Sequence, residues 1–437
     1  MAILATILSG LSFLMAVMLL IKHPGFTVGV FFVWLPRLTA GALSPVWAIV
    51  GVAGAILGWA SGAYWAIPLG ILGAGVSTWY IWRCTRDHDG FEKAFGADWS
   101  EKIAPGQAEH MIRNRWTGVS KLNGSPEYSW QRDVPFWAIT EPGSGNEVGS
   151  DVGSDIATGR ELLCDLWLPA SGNGSGLAFI YYHGGGWSIG DKDMFTRPFF
   201  RHLISQGHTI MDVAYRLLPE VDIYGMIGDV KRAIAWMKAN ADRFGVDPEK
   251  IVLGGASAGG HLALLAAYTP ERPELTPEEL DGADLSVCGV VSYYPPTDLL
   301  ATYRYTGQQK MAGLPPVPVG PDSTMTRRDR GRLDVLLGGW PQDVPDAYEL
   351  SSPSSHVRPG NPPTLLLQGE QDVLVPAEPT CALHAKLVEA GVPAINVVFP
   401  WTDHAFDAAL PQINPAAQSA LYDVDRFLAL LSNNTDV

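Results

Sequence analysis

The first 82 residues contain no Asp or Glu and only two Lys or Arg, Lys22 and Arg37. No water-facing domain of that length has so few charges, so this part of the chain is built for hydrocarbon. The remaining 355 residues carry 28 basic against 45 acidic side chains, a net −17 typical of a soluble globular domain. The chain therefore has two parts suited to two solvents. The acidic balance excludes a nucleic-acid partner held through phosphate neutralisation, since no Lys/Arg run or zinc-finger spacing offsets it.

Ala2–Ile21 supplies about the 20 apolar residues that one helical crossing needs. A signal peptide would need a basic start and a small-residue cleavage site, and neither is present. Phe26–Leu35 is too short to span; Pro36-Arg37 is expected to stop it, leaving an interfacial or re-entrant patch. Leu43–Trp59 and Ala63–Trp82 form two further apolar runs, which the short Ala60-Ser61-Gly62 link makes an antiparallel hairpin. Its Gly54-x-x-x-Gly58 and Gly58-x-x-x-Gly62 spacings allow close helix approach, serving either packing within the unit or a homodimer. Three spans place Lys22, Arg37, Arg83 and Arg86 on the side of the large domain, which by the positive-inside tendency is the cytoplasm. The predicted organisation is a transmembrane helical domain at 1–82, an amphipathic connector at 83–131 between bilayer and domain, and a catalytic domain at 132–437.

From residue 132 onward short apolar runs alternate with longer helix-like segments. Strands are predicted at Val134–Ile139, Leu162–Leu168, Leu177–His183, Thr209–Tyr215, Lys250–Gly255, Val287–Tyr293, Thr364–Gln368 and Ile395–Phe399. Helices are predicted at Phe195–Ser205, Met226–Arg243, Ala258–Tyr268, Glu378–Ala390 and Gln418–Leu431. That alternation implies an α/β fold with a mostly parallel sheet covered on both faces. Residues 141–159, rich in Gly, Ser and acidic residues without periodicity, are expected to be a loop. Cys84, Cys164, Cys288 and Cys381 lack C-x-x-C pairing and are expected to be buried free thiols.

The peptide Ile251–His261 runs an apolar strand into Gly255-Ala256-Ser257-Ala258-Gly259 and then into a helix. A serine on so sharp a turn has its hydroxyl thrust outward, the geometry of a nucleophile. Tyr181-Tyr-His-Gly-Gly-Gly-Trp187 ends an earlier strand, and its glycines leave amides free to meet an oxyanion; a phosphate loop would need a following Lys-Ser/Thr, which is missing. His404, in a loop beyond the last strand, is the candidate base, and Asp372, after the preceding strand, its orienting carboxylate. Glu370 and Asp403 are alternative acids, Asp403 being expected as a solvated neighbour. His261 and His183 are expected to brace the elbow and the glycine loop. No metal-ligand spacing is present, so no metal or cofactor is implied.

His183-Gly-Gly-Gly-Trp187 with Gly190-Asp-Lys192, Tyr215-Arg-Leu-Leu-Pro-Glu220, Gly255-Ala-Ser-Ala-Gly-Gly-His261, Gly369-Glu-Gln-Asp372 and Asp403-His-Ala-Phe406 together resemble the hormone-sensitive-lipase-like carboxylesterases of the α/β-hydrolase fold. The versions here are most similar to the branch of acetyl- and feruloyl-esterase-like and formamidase-like enzymes. The resemblance covers about 132–432. It implies an eight-stranded sheet, a Ser257–His404–Asp372 triad, an acyl-enzyme on Ser257, and an oxyanion hole from Gly185, Gly186 and Ala258. Trp187 and Tyr294 are the expected substrate-binding residues, and the insert 301–343 the expected cap, with Tyr303, Tyr305, Met311 and Trp340 lining the pocket. Ala256 and Ala405 depart from the acidic residue and the Gly that many relatives carry there. The expected activity is membrane-anchored hydrolysis of an amphiphilic carboxylic ester. An amidase or formamidase with the same triad is the alternative, and a non-turning binding protein a second.

Overall fold

A computed structural model describes residues 1–22, 30–119, 127–139, 160–170, 174–307 and 332–433. Its centre is an eight-stranded sheet made of β1 (Tyr128–Ile139), β2 (Arg160–Pro169), β3 (Ala178–Tyr182), β4 (Thr209–Ala214), β5 (Ile251–Ala256), β6 (Gly289–Tyr293), β7 (Thr364–Gly369) and β8 (Ala394–Phe399). The order is β1-β2-β4-β3-β5-β6-β7-β8. β2 runs antiparallel to both its neighbours, and every other pair from β4 to β8 is parallel. β3, β5, β6 and β7 are buried along their whole length, which is why they read as continuous rather than alternating apolar runs. Helices Ile223–Ala239 and Ala258–Tyr268 join one core cluster, while Arg197–Ser205 and Pro415–Asn433 join the other. This is the α/β-hydrolase architecture, and it points the loops after β3, β5, β7 and β8 toward one sheet edge.

β1 begins six residues before the predicted Val134, because Trp130 stacks on buried Trp167 at 4.5 Å and its indole donates to Asp165. Burial of that ring outweighs the polar Gln131-Arg132-Asp133 run. Of the cysteines, Cys84 and Cys164 are buried as expected, but Cys288 is half-buried and Cys381 is exposed on helix Ala377–Glu389.

The N-terminal part forms four helices: α1 (Ala2–Leu20), α2 (Val30–Ala42), α3 (Ser44–Ser61) and α4 (Ala66–Cys84). Among the described residues α1 and α3 are long and apolar enough to cross a membrane. α4 is as long, but Pro68, three glycines, Ser77, Thr78 and Arg83 dilute its hydropathy below that standard. A Cβ on Gly51 would lie 2.5 Å from the Gly70 carbonyl oxygen, and one on Gly54 2.4 Å from Ser9 Oγ. The small-residue spacing is thus used for packing α3 against α4 and α1 within the unit.

One expectation fails here. Pro36 does not end a helix; α2 runs through it. A proline inside a helix costs about 3 kcal/mol, offset by contacts that α2 makes beyond it, described below. The connector segment packs on the sheet domain. Its short helices Gly90–Phe95 and Trp99–Lys102 pack on the hydrolase, with Phe91 buried and stacked on Trp99 at 4.7 Å. Arg115 forks onto buried Asp423 of helix Pro415–Asn433 at 2.9 and 2.8 Å. A bidentate buried pair of this kind fixes the segment to the domain.

Candidate active site

Ser257 sits between β5 and helix Ala258–Tyr268 with φ +53° and ψ −119°. A side chain in that region is strained, and the surroundings hold it there: its amide donates to the Tyr293 carbonyl at 2.9 Å and its carbonyl accepts from the His261 amide at 2.9 Å. The flanking residues must be small. A Cβ on Gly259 would lie 2.0 Å from the Tyr182 carbonyl oxygen and 2.5 Å from that of His183.

His404 Nε2 is 3.0 Å from Ser257 Oγ, and His404 Nδ1 is 2.7 Å from Asp372 Oδ2. Asp372 Oδ2 also accepts from Gln368 Nε2 at 3.2 Å, while Oδ1 accepts the amides of Leu374 and Val375 at 2.8 and 2.7 Å. Four donors on one buried carboxylate fix its rotamer. Burial disfavours charge on His404, but the Asp372 carboxylate, by its charge and hydrogen bond, outweighs this and holds the imidazole above its ordinary 6.5. The Nδ1–H is thereby directed at Asp372, leaving Nε2 as the acceptor facing the serine hydroxyl.

The glycine loop lies beside the elbow, with a Cβ on Gly184 placed 3.4 Å from Ser257 Cβ. Gly185 has φ +130° and Gly186 φ +57°, and a Cβ on Gly185 would collide with the Ile189 carbonyl oxygen at 1.8 Å. Among the described residues, the amides of Gly185, Gly186 and Ala258 donate to no protein acceptor. His183 braces this loop as expected: Nδ1 is 2.7 Å from the Gly184 carbonyl oxygen, and the ring stacks on Tyr215, whose hydroxyl donates to the His183 carbonyl. His261 braces the elbow, accepting from Trp187 Nε1 at 3.3 Å and pairing through Nε2 with the Ser351 carbonyl at 2.8 Å. Both ring nitrogens are thus engaged away from Ser257, so His261 is no base for it, and burial pushes its pKa down to about 4.

Three expected placements are corrected. Trp187 is 4% exposed and spends its indole N–H on His261; it locks the helix after the serine rather than offering an open pocket wall. Tyr294 is 3% exposed, its ring is 4.4 Å from the His404 ring, and its hydroxyl donates to Asp407. It is a backing plate for the imidazole. Asp403 is no solvated neighbour: it is buried, and its Oδ1 accepts the amides of Val373 and His404 at 3.0 and 2.8 Å. Glu370, exposed, takes the Trp401 amide at 3.0 Å and shapes the turn before His404. Tyr303 packs on Trp340 and Tyr348, and the Tyr305 hydroxyl donates to the Asp372 carbonyl at 2.6 Å. Met311 and the expected cap, apart from its ends, lie outside the described residues. Sequence reasoning did not place Trp34, Arg37, Gln371 or Asp407 at the site. Only Arg37, a charge isolated among apolar residues, gave a signal.

The chain is similar to several known proteins. The BD-FAE family model matches residues 164–387, just over half of the chain. Esterase LipQ of Mycobacterium tuberculosis is 29% identical over 331 residues, covering 74% of this chain and 69% of that protein. The probable carboxylic ester hydrolase LipM of the same organism is 31% identical over 275 residues; the match covers 62% of this chain and 58% of LipM's own length. Butyrate-bound Est2, an esterase of the Planctomycetes species Thermogutta terrifontis, is 27% identical, with 62% of this chain and 89% of that one covered at a TM-score of 0.48.

Proposed function

We propose that this chain, which belongs to the BD-FAE family, hydrolyses carboxylic esters through an acyl-enzyme on Ser257. The chain is an α/β-hydrolase and a carboxylic ester hydrolase, like the named esterases it is similar to. The observation that carries it is the continuous Ser257–His404–Asp372 chain of contacts at 3.0 and 2.7 Å. His404 Nε2 takes the hydroxyl proton as Ser257 Oγ attacks the ester carbonyl carbon. The oxyanion is received by the amides of Gly185, Gly186 and Ala258. His404 returns the proton to the departing alcohol. Water, losing a proton to His404, then attacks the acyl-serine, and His404 passes that proton to Ser257 Oγ as the acid departs, restoring the free enzyme. Each donor to the oxyanion is worth about 3 kcal/mol, a hundredfold or more in rate.

We further propose a bilayer as the partner of residues 1–82. α1, α3 and α4 leave Ile3, Ile49, Val52, Ile56, Ile71 and Leu72 exposed, an apolar surface far larger than a water-soluble domain tolerates. Lys22, Arg83 and Arg86 favour a cytoplasmic catalytic domain, and the substrate is then an amphiphilic ester that partitions into the membrane. The test is a p-nitrophenyl ester series of increasing acyl length, run beside matched p-nitroanilides on detergent-solubilised protein, with fractionation of the expressing cells. Ester turnover lost in Ser257→Ala, rising toward longer acyl chains, with the protein in the membrane fraction, supports the reading. Preference for the anilides would mean an amidase, and soluble protein would remove the membrane assignment.

A further inference from the structure

The loops that carry His404 and Asp372 are not self-supporting. Trp401 and Ala405, on either side of His404, have φ +54° and +61°, the left-handed region that costs any residue with a Cβ. Something must hold them. Part of the hold is internal: Gln371 N donates to the Thr402 carbonyl at 3.0 Å, and Asp403 Oδ1 joins the amide next to Asp372 to that of His404 itself. The rest comes from more than 320 residues away in sequence. Trp34 Nε1 donates to the His404 carbonyl at 3.1 Å, Arg37 Nη2 donates to Gln371 Oε1 at 2.6 Å, and Arg37 Nε lies 3.6 Å from Asp403 Oδ2. Tyr80 Oη is 3.1 Å from Thr402 Oγ1, and Trp79 packs on Trp401. The Arg37 and Asp403 side chains are each 1% exposed.

We propose that Arg37 is a positioning residue for ester hydrolysis: from α2 it holds the Asp403 carboxylate and the Gln371 amide, and through them the relative placement of Asp372 and His404. The N-terminal helical unit is then part of the catalytic machinery and not a detachable tether. This rests on the Ser257–His404–Asp372 reading. Arg37 touches no reacting atom; it acts through Asp403. Burial pushes the Asp403 carboxyl up to about 6, Arg37 pulls it down, and Asp372 opposes ionisation. Without Arg37, only the amides of Val373 and His404 stand against burial and the Asp372 charge, and the anionic clamp between the two loops is weakened. A retained Arg37 facing a neutral Asp403 is equally unpaired.

The test uses the full chain in detergent with Arg37→Met, Arg37→Lys, Asp403→Asn and the double variant Arg37→Met/Asp403→Asn. Arg37→Met should lower kcat by about ten- to hundredfold, the range for a displaced catalytic group, with KM within about twofold. Arg37→Lys keeps the charge but not the fork and should recover part of that loss. The double variant leaves no lone buried charge and should lose less than the two single losses combined, by at least about threefold. If Arg37→Met proves too unstable to assay, the lysine variant and the double variant carry the same comparison. Wild-type kcat in folded Arg37→Met overturns the proposal. So do losses that track melting temperature alone, with no lysine rescue and an additive double variant. Ser257→Ala run alongside separates the two levels: turnover surviving there sinks the triad itself, whereas a dead Ser257→Ala beside an unaffected Arg37→Met sinks only the role of Arg37.

Discussion

Replacing Asp372 with asparagine changes one atom and should nearly abolish turnover, for a reason set by the four donors on that carboxylate. Oδ1 accepts two backbone amides, from Leu374 and Val375, and Oδ2 accepts His404 Nδ1–H and the Gln368 amide. Asparagine has one oxygen and one NH2 group. Turning the NH2 toward Leu374 and Val375 would leave two buried N–H donors facing a donor, at about 1–3 kcal/mol each. The oxygen therefore keeps the Oδ1 place, and the NH2 faces His404. His404 Nδ1 must then accept, which puts the ring proton on Nε2, the atom that has to receive the Ser257 proton at 3.0 Å. The arrangement is intact and the tautomer is wrong, a fault worth about 10⁴ in kcat, or ~5.5 kcal/mol. Steady-state p-nitrophenyl ester hydrolysis measures the loss, and 15N NMR of the histidine nitrogens reads the tautomer. A folded Asp372→Asn protein within about tenfold of wild-type kcat would refute this reasoning.

Three further outcomes are expected. Gly259→Ala forces a Cβ to 2.0 Å from the Tyr182 carbonyl oxygen, in contact with the strand that carries the glycine loop; it should destabilise the protein by several kcal/mol, on the order of 3 or more, visible as a lowered urea midpoint together with lost activity. Because His404 must be neutral to accept a proton and is held above 6.5 by Asp372, kcat/KM should climb with pH along a limb centred above 6.5. His208 and His261 are each pushed down by burial to about 4 from 6.5. The unfolded chain binds their protons first, so the stability each supplies is complete above pH 6.5 and is lost as pH falls toward 4, about 3 kcal/mol apiece. Urea midpoints should drop across that window, and less steeply in His208→Asn than in wild type.

All eight strands and their helices were legible because their signals are local. β5 and Ala258–Tyr268 announce themselves by an apolar run, a tight Gly-x-Ser-x-Gly corner and a second apolar run. The contacts Ser257, His404 and Asp372 make follow from fold topology once that corner is placed. Tertiary contacts hid the rest. A helix continuing through Pro36 contradicts every local rule and makes sense only once Trp34 and Arg37 find their partners on the His404 and Gln371 loops. Trp187 and Tyr294 were read as pocket walls because an aromatic beside a catalytic motif has two possible uses, and only the partners at His261 and Asp407 decide between them. Ala405, where many relatives carry glycine, has φ +61°; the strain is visible in the structure and silent in the sequence.

The most direct test of the account is to trap the covalent intermediate. A rapid-mixing experiment with a p-nitrophenyl ester, quenched in acid and followed by peptide mass mapping, should show a burst of p-nitrophenol and the acyl mass on the peptide containing Ser257. Both signals should be absent in Ser257→Ala. An acyl group found on another residue, or full turnover in Ser257→Ala, would contradict the account.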